Sequence, residues 1–229
     1  MRTLTELINT EEPGIELIHE WIADAVRPVE ILPLLSKEIA EEALLELQVT
    51  TRSPLGAIAY DTGGILIDNG WVRVLGGGMD IFPSICQWNK GKTMEAGVNT
   101  VGYYIVAYDL LGGYFCINGG GLGQDAGSIY YFAPDTLNFE ALDINYTDLI
   151  IFFITGNLEQ FYQDFRWNTW KEDTAELALD KALHIYPPLW TKEGKNIDST
   201  SLAIVPAEDI YHINKDFRNG LNDIENKYK

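Results

Sequence analysis

The feature of this sequence that most restricts its fold is the dipeptide Asn69-Gly70, because it predicts a tight turn between two strands. It stands between the apolar segments ILID and WVRVL. Two-residue hairpin turns need a positive φ at both central residues, and Asn-Gly adopts such angles readily. A second turn signal precedes it at Asp61-Thr62-Gly63-Gly64. Together these turns predict three consecutive strands that pair antiparallel in one sheet, near 56–60, 64–68 and 71–75.

More segments of strand character follow, and helical segments flank them. Strands are predicted at 102–109, 113–117, 128–133 and 137–142, while residues 79–100 are predicted to be irregular. Apolar spacing and capping residues predict helices at 3–8, from Pro13, after Ser36, after Thr147, after Asn157, at 168–180 and after Pro206. Helices, then hairpin-linked strands, then helices again are typical of an α+β protein with a mainly antiparallel sheet.

The chain contains no stretch with the composition of a linker. We therefore expect a single domain over residues 1–229. Within it the sheet is expected at 53–142, and the flanking helices at 1–50 and 146–226.

The sequence is strongly acidic, with 34 Asp and Glu residues against 16 Lys and Arg and a formal net charge of −18. Such a chain repels the phosphates of nucleic acids and of anionic lipids, so we expect neither a nucleic-acid partner nor a membrane. A basic protein is the partner that complements this charge. Acidity that serves solubility alone is the other interpretation that the composition allows.

Two features predict a cytoplasmic location. The first residues, MRTLTELINTEEPG, are acidic and lack the apolar segment of a signal peptide. The two cysteines, Cys86 and Cys116, lie among apolar neighbours, which predicts buried, reduced thiols and no disulfide.

The glycine-rich segment 118–127 is the most conspicuous motif. Gly121, Gly123 and Ala126 match a degenerate dinucleotide-binding pattern, but that pattern needs a helix after it, and here a strand is predicted to follow. A tightly turned hairpin connection explains the glycines without a ligand. Its exposed backbone groups would also suit a partner's backbone, so the segment supplies the candidate binding residues: Asn118, Gly119, Gly120, Gly121, Gly123 and Asp125.

No pattern in the sequence predicts a catalytic residue, a metal or a cofactor. The histidines are isolated and no Cys-x-x-Cys motif is present. Cys116 lies in the middle of a predicted strand, which favours a core thiol over a nucleophile. Two distant carboxylates could still converge in the fold, and no motif singles out such a pair.

Several strings together are similar to a known family: TRSPLGAIAYDTGGILIDNGWVRVLGGG, GGYFCINGGGLG, IYYFAPDTL, FYQDFRW and LWTKE. They resemble the bacterial domain-of-unknown-function family 2625 over nearly the whole chain. The family has no established activity, so the resemblance implies no functional residue.

The order of elements also resembles the SUKH superfamily. It runs from a helical start through a hairpin sheet and a glycine-rich turn before an aromatic strand, and then to the helix LIIFFITGNLEQFY. That resemblance implies a cytoplasmic immunity-type protein that binds another protein. The sequence therefore predicts a non-enzymatic protein-binding module. An enzyme acting on a small molecule in a pocket beside the sheet is the alternative, and the residues indicate no oligomeric state.

Overall fold

The computed structural model describes residues 1–227, which form helices on both sides of a run of strands. In chain order the elements are α1 (Leu4–Leu7), α2 (Gly14–Ala23), β1 (Val29–Leu32), α3 (Lys37–Leu47), α4 (Pro54–Asp61), β2 (Gly64–Ile67), β3 (Val72–Leu75), α5 (Ile85–Asn89), β4 (Met94–Glu95), β5 (Val98–Asn99), β6 (Tyr103–Asp109), β7 (Tyr114–Asn118), β8 (Ile129–Ala133), β9 (Asn138–Ala141), α6 (Tyr146–Thr155), α7 (Leu158–Phe161), α8 (Trp170–Thr174), β10 (Lys181–Tyr186), β11 (Ser201–Pro206) and α9 (Ala207–Lys227).

Seven strands form the main sheet in the order β1-β2-β3-β6-β7-β8-β9. Every neighbouring pair is antiparallel. The pairs β4–β5 and β10–β11 form two small separate hairpins. The predicted α+β class with a mainly antiparallel sheet is therefore confirmed. No helix in residues 1–227 combines the length and apolar character needed to cross a membrane.

The hairpin at Asn69-Gly70 is confirmed, but the strand predicted at 56–60 is wrong. Ile67 pairs with Val72 across the turn, and Asn69 and Gly70 have φ of 59° and 76°. Residues 56–60 lie in α4. Ser53 caps this helix by accepting a hydrogen bond from the Gly56 amide, and Pro54 occupies its first turn. The spacing of apolar residues in this short stretch does not distinguish a helix from a strand. The cap and the proline therefore decide that it is helical.

The strand that pairs with β2 in place of residues 56–60 is β1, which lies within the segment predicted to be helical. Other predictions also needed correction in their bounds. The region predicted as irregular contains α5 and the β4–β5 hairpin, and the helix predicted at 168–180 is limited to α8. Asn145, rather than Thr147, caps α6 through a reciprocal contact with Asp148.

The main sheet lies between two sets of helices. Tyr114 and Phe115 are consecutive on β7, so their side chains point to opposite faces. Phe115 packs edge-on against Phe153 of α6, with ring centroids 4.8 Å apart. Tyr114 packs against Tyr211 of α9 on the other face, at 5.3 Å. Buried apolar side chains from both faces belong to one core cluster.

The register places two groups of loops at opposite ends of the sheet. Tyr103, at the start of β6, pairs with Asn118 at the end of β7. Asp109, at the other end of β6, pairs with Val72, the second residue after Gly70. We call these two ends of the sheet the Asn118 end and the Asn69 end.

Candidate functional site

The glycine loop, residues 118–127, connects β7 to β8 at the Asn118 end, and the Asn118 side chain organises it. Asn118 is buried. Its Oδ1 accepts hydrogen bonds from the amides of Gly120 and Leu122, at 2.8 and 3.1 Å. Its Nδ2 donates to the Gly123 carbonyl and to Asp125 Oδ1, both at 3.0 Å. The Asn118 side chain therefore holds the loop in shape and is not presented to the surface.

Asp125 is the charged residue of the glycine loop, and it is exposed. Its Oδ1 accepts a hydrogen bond from the Tyr130 hydroxyl at 2.9 Å as well as the one from Asn118. The Tyr130 hydrogen bond is the main cause that lowers the pKa of Asp125. The carboxylate therefore stays ionised at neutral pH and places a fixed negative charge on the outside of the loop.

The glycines of the loop have a local explanation. The amides of Gly119 and Gly121 both donate to the Gly102 carbonyl, at 2.7 and 2.9 Å, which draws the loop against the chain before β6. A Cβ on Gly121 would collide with the Val101 carbonyl oxygen. No helix follows the loop, since β8 begins at Ile129. The arrangement thus matches a close-packed turn and lacks the helix N-terminus that a dinucleotide site requires.

An open cavity of about 330 Å³ adjoins the glycine loop, and we call it the tyrosine cleft. Its lining residues are Asn99, Gly102, Tyr103, Tyr104, Ile117 and Gly119. The Tyr104 hydroxyl donates to Glu46 Oε1 of α3 at 3.0 Å. Burial raises the pKa of Tyr103 to about 12, so its hydroxyl stays protonated at neutral pH. Among the predicted candidates only Gly119 lines the cleft. Tyr103 and Tyr104 are consecutive on β6, so their rings point to opposite faces of the sheet, and this pair of tyrosines is the local sequence signal for the cleft.

The two cysteines have environments that suit packing better than chemistry. Both are free thiols, Cys116 buried and Cys86 half-buried. The Cys86 Sγ lies 3.5 Å from the Tyr104 hydroxyl oxygen. Burial raises the pKa of Cys86 to about 12, and it raises the pKa of Cys116 as well. Because the thiolate is the nucleophilic form, neither thiol is activated at neutral pH.

The Asn69 end contains a second cavity, of about 440 Å³, between the sheet and residues 171–179. Arg73 on β3 is one of its lining residues. No candidate residue predicted from the sequence lies there. Arg73 stands in the segment WVRVL as a single charge in an apolar strand, and that isolation was the only local signal for it.

Two inward-facing charged side chains nearby, Asp109 and Arg166, contact groups of the protein itself. Asp109 accepts hydrogen bonds from the Tyr131 and Tyr162 hydroxyls at 2.6 and 3.1 Å, and from two backbone amides. Arg166 Nη2 lies 2.7 Å from Asp68 Oδ2, a contact that is an ion pair rather than an aligned hydrogen bond. Both groups therefore serve the fold. Among residues 1–227 no three His, Cys, Asp or Glu side chains gather where they could hold a metal ion.

Comparison with known proteins gives a consistent result. The profile of the family "Protein of unknown function DUF2625" matches residues 4–210. An uncharacterized protein of Escherichia coli K12, YbfG, is 42% identical over 193 residues, which cover 84% of this chain and 87% of that protein. An uncharacterized protein of Haemophilus influenzae Rd is 34% identical over 215 residues, 93% of this chain and 94% of that protein. No solved structure matches the chain significantly. The match spans most of the sequence, and the chain therefore belongs to the DUF2625 family, whose function is unknown.

Proposed function

We propose that this protein is a non-enzymatic binding module, and that its partner is a basic protein that docks at the Asn118 end of the sheet. The observation that supports this most directly is the combination found there. A hydrogen-bonded loop with exposed backbone carries an ionised aspartate and stands beside an open cleft lined by two tyrosines. Recognition surfaces are commonly built from loops that a rigid sheet positions.

The chemistry of this surface suits protein recognition. Tyrosine supplies a large contact area at a low cost in side-chain entropy, together with a hydroxyl for hydrogen bonding. Val98, in the hairpin that leads into β6, is 63% exposed and adds apolar area at the same end. Glu46 and Asp125 place carboxylates beside this area. A partner with Lys or Arg around an apolar centre would therefore find complementary groups.

The charge of the whole chain supports the same partner. A net charge of −18 attracts a basic protein over long distances and speeds encounter. The order of elements that resembles the SUKH superfamily favours an immunity-type role of this kind. Solved structures add no support to that resemblance.

The titratable groups near the cleft favour binding over catalysis. Burial is the main cause that raises the pKa of Tyr103, Tyr104 and Cys86, and it keeps all three in their neutral forms. A general base would need a pKa near the operating pH. The alternative function, an enzyme acting on a small molecule in a pocket beside the sheet, would instead require turnover of that molecule by the purified protein.

The experiment is affinity capture of the tagged protein from its own cells, followed by association kinetics with the purified partner. Asp125→Asn is the informative variant, because the amide keeps an oxygen that can accept from Asn118 and Tyr130 while the charge is lost. A lysine at this position would disturb the loop as well as the charge. We expect Asp125→Asn to slow association several-fold at low salt, and high salt to reduce the difference.

Asp24→Asn is the matched control. Asp24 is exposed. Two residues later, the Val26 amide donates a hydrogen bond to the Ile154 carbonyl near the end of α6. The glycine loop leads instead into Ile129, whose amide donates to Ile144 before α6 begins. The control removes the same charge one helix length away and should leave the association rate nearly unchanged. Equal effects of the two variants, or a captured partner that is acidic, would contradict the proposal.

A further inference from the structure

The cavity at the Asn69 end, named here the arginine pocket, has the size of a small-molecule site. Glu30, Leu66 and Arg73 are cross-strand partners on β1, β2 and β3, so their side chains lie in one row on the same face of the sheet. Residues from 171–179 line the other side of an open cavity of about 440 Å³ beside this row. Ligand pockets in proteins commonly measure about 300 to 1,000 Å³.

Arg73 is the unusual group in the arginine pocket, because it carries a positive charge and is only 2% exposed. Nη1 donates to the carbonyls of Leu179 and Lys181, both at 2.6 Å. Nε donates to the Gly70 carbonyl and Nη2 to the Ala178 carbonyl, both at 3.3 Å. A guanidinium has five N–H groups, and these carbonyls take four of them. The remaining N–H is on Nη2, and the Tyr108 ring also lies beside the guanidinium, with its centroid 5.9 Å from Cζ.

Within residues 1–227, Arg73 forms no ion pair with a carboxylate inside 4.0 Å. Carbonyl oxygens satisfy hydrogen bonds but do not neutralise a positive charge, and a buried charge without a counter-ion is costly. Arg166 shows the contrast, since its side chain, which is 6% exposed, has Asp68 at 2.7 Å. The pocket therefore presents an uncompensated cation in a chain that is otherwise strongly acidic.

The remaining lining defines the kind of anion. Lys171 adds a second positive charge, while Leu66, Leu110, Leu177 and Leu179 provide apolar walls. Glu30 brings a carboxylate to the same row and disfavours a multiply charged anion such as phosphate. Guanidinium groups pair well with carboxylates.

We propose that the arginine pocket binds a small organic carboxylate, a singly charged acid with an apolar body. One carboxylate oxygen accepts a hydrogen bond from Arg73 Nη2 and the other faces Lys171. The apolar body packs against Leu66 and Leu177. The site lies at the end of the sheet opposite to the glycine loop, so this inference stands independently of the proposed protein partner.

Isothermal titration calorimetry with three probes tests the ligand class. The probes are hexanoate, hexanol and inorganic phosphate, which separate the charge from the apolar body. We expect saturable binding of hexanoate, and at least tenfold weaker binding of the other two. Hexanol or phosphate binding as tightly as hexanoate would overturn the proposal, as would hexanoate that shows no saturation up to about 10 mM.

Two variants locate the binding without removing the buried arginine, whose loss could unfold the protein. Ala175 is exposed and lines the pocket, so Ala175→Trp fills the cavity from its outer side. Lys171→Met removes the second cation. We expect Ala175→Trp to abolish hexanoate binding and Lys171→Met to weaken it several-fold. Lys192→Met is the matched control, since Lys192 is exposed and outside the pocket lining. Retained binding in Ala175→Trp, or equal weakening in the two lysine variants, would overturn the assignment.

Discussion

At the scale of single residues, Asp109 shows how a charged group inside this protein is held by a defined set of partners. Asp109 is fully buried, and burial raises the pKa of its carboxyl while its four donors oppose that rise. The two tyrosine donors come from β8 and from the residue after α7, so the carboxylate joins the sheet to the C-terminal segment.

Removing the Asp109 carboxylate should destabilise the protein strongly. In Asp109→Ala, the Tyr131 and Tyr162 hydroxyls and two backbone amides lose their acceptor, and we expect a loss of about 3 kcal/mol or more. Asp109→Asn keeps one acceptor oxygen and should lose less. Urea denaturation of the three proteins measures the difference in the free energy of unfolding. An alanine variant as stable as the asparagine variant would show that the donors find other partners.

The contact between Lys92 and Glu208 predicts that the stability of the protein depends on pH. The Lys92 side chain is 3% exposed, and its amine donates to Glu208 Oε1 at 2.8 Å. This hydrogen bond is the main cause that lowers the pKa of Glu208 below its ordinary value of 4.5. A carboxylate whose pKa is lowered by folding stabilises the fold above the unfolded pKa, and that contribution is lost as the pH falls through the folded pKa.

We therefore expect the stability gap between the natural protein and Lys92→Met to narrow as the pH falls from about 6 to about 3. Urea denaturation across this range measures the gap. Glu208→Gln removes the titrating carboxyl itself and serves as the control. It should abolish the same pH-dependent contribution to the free energy of unfolding. A gap that stays constant over the range would show that the contact does not differ between folded and unfolded states.

At the scale of elements, two glycines of neighbouring elements are required for different reasons. Gly70 has a φ of 76°, and an added Cβ would meet only Leu66 Cδ1, at 4.0 Å. Gly56 lies inside α4, where an added Cβ would collide with the Thr50 carbonyl oxygen. The turn glycine therefore serves backbone conformation, and the helix glycine serves close packing of the backbone before α4.

This difference predicts that Gly56→Ala destabilises the protein more than Gly70→Ala. Helix propensity alone would predict the opposite, since alanine favours a helix. Gly70→Ala should cost about 1 kcal/mol through its φ. Gly56→Ala should cost more, about 2 to 3 kcal/mol, because overpacking exceeds the gain that alanine brings to a helix. Chemical denaturation of both variants checks the order. A Gly56→Ala protein as stable as the natural one would show that the backbone at Thr50 shifts without strain.

At the scale of the whole molecule, the charge of −18 is spread over a compact fold and opposes folding by self-repulsion. We expect the free energy of unfolding at pH 7 to rise when the salt concentration increases from about 10 to about 150 mM, because the Debye length shortens. The control is the same change near the isoelectric point of about 4.4, where net repulsion is absent and the increase should vanish. An equal increase at both pH values would assign the effect to something other than net charge.

Local patterns in the sequence were sufficient for those features whose cause is local. The Asn69-Gly70 turn, the cap at Ser36 and the start of the last helix after Pro206 were all predicted and are present. Each depends on the backbone preference or hydrogen bonding of a few adjacent residues. The order of such segments also predicted the α+β class, and long matching strings indicated the family that the comparisons confirm.

The tertiary structure decided what depends on residues far apart in the chain. β1 has only four residues, too few for a period to be detected, and it becomes a strand because β2 offers a free edge. The glycine loop needs Gly102, and the arginine pocket needs β3 to meet residues 178–181 more than a hundred positions later. Arg73 is therefore one charge among many in the sequence, and only the packing of distant segments buries it without a counter-ion.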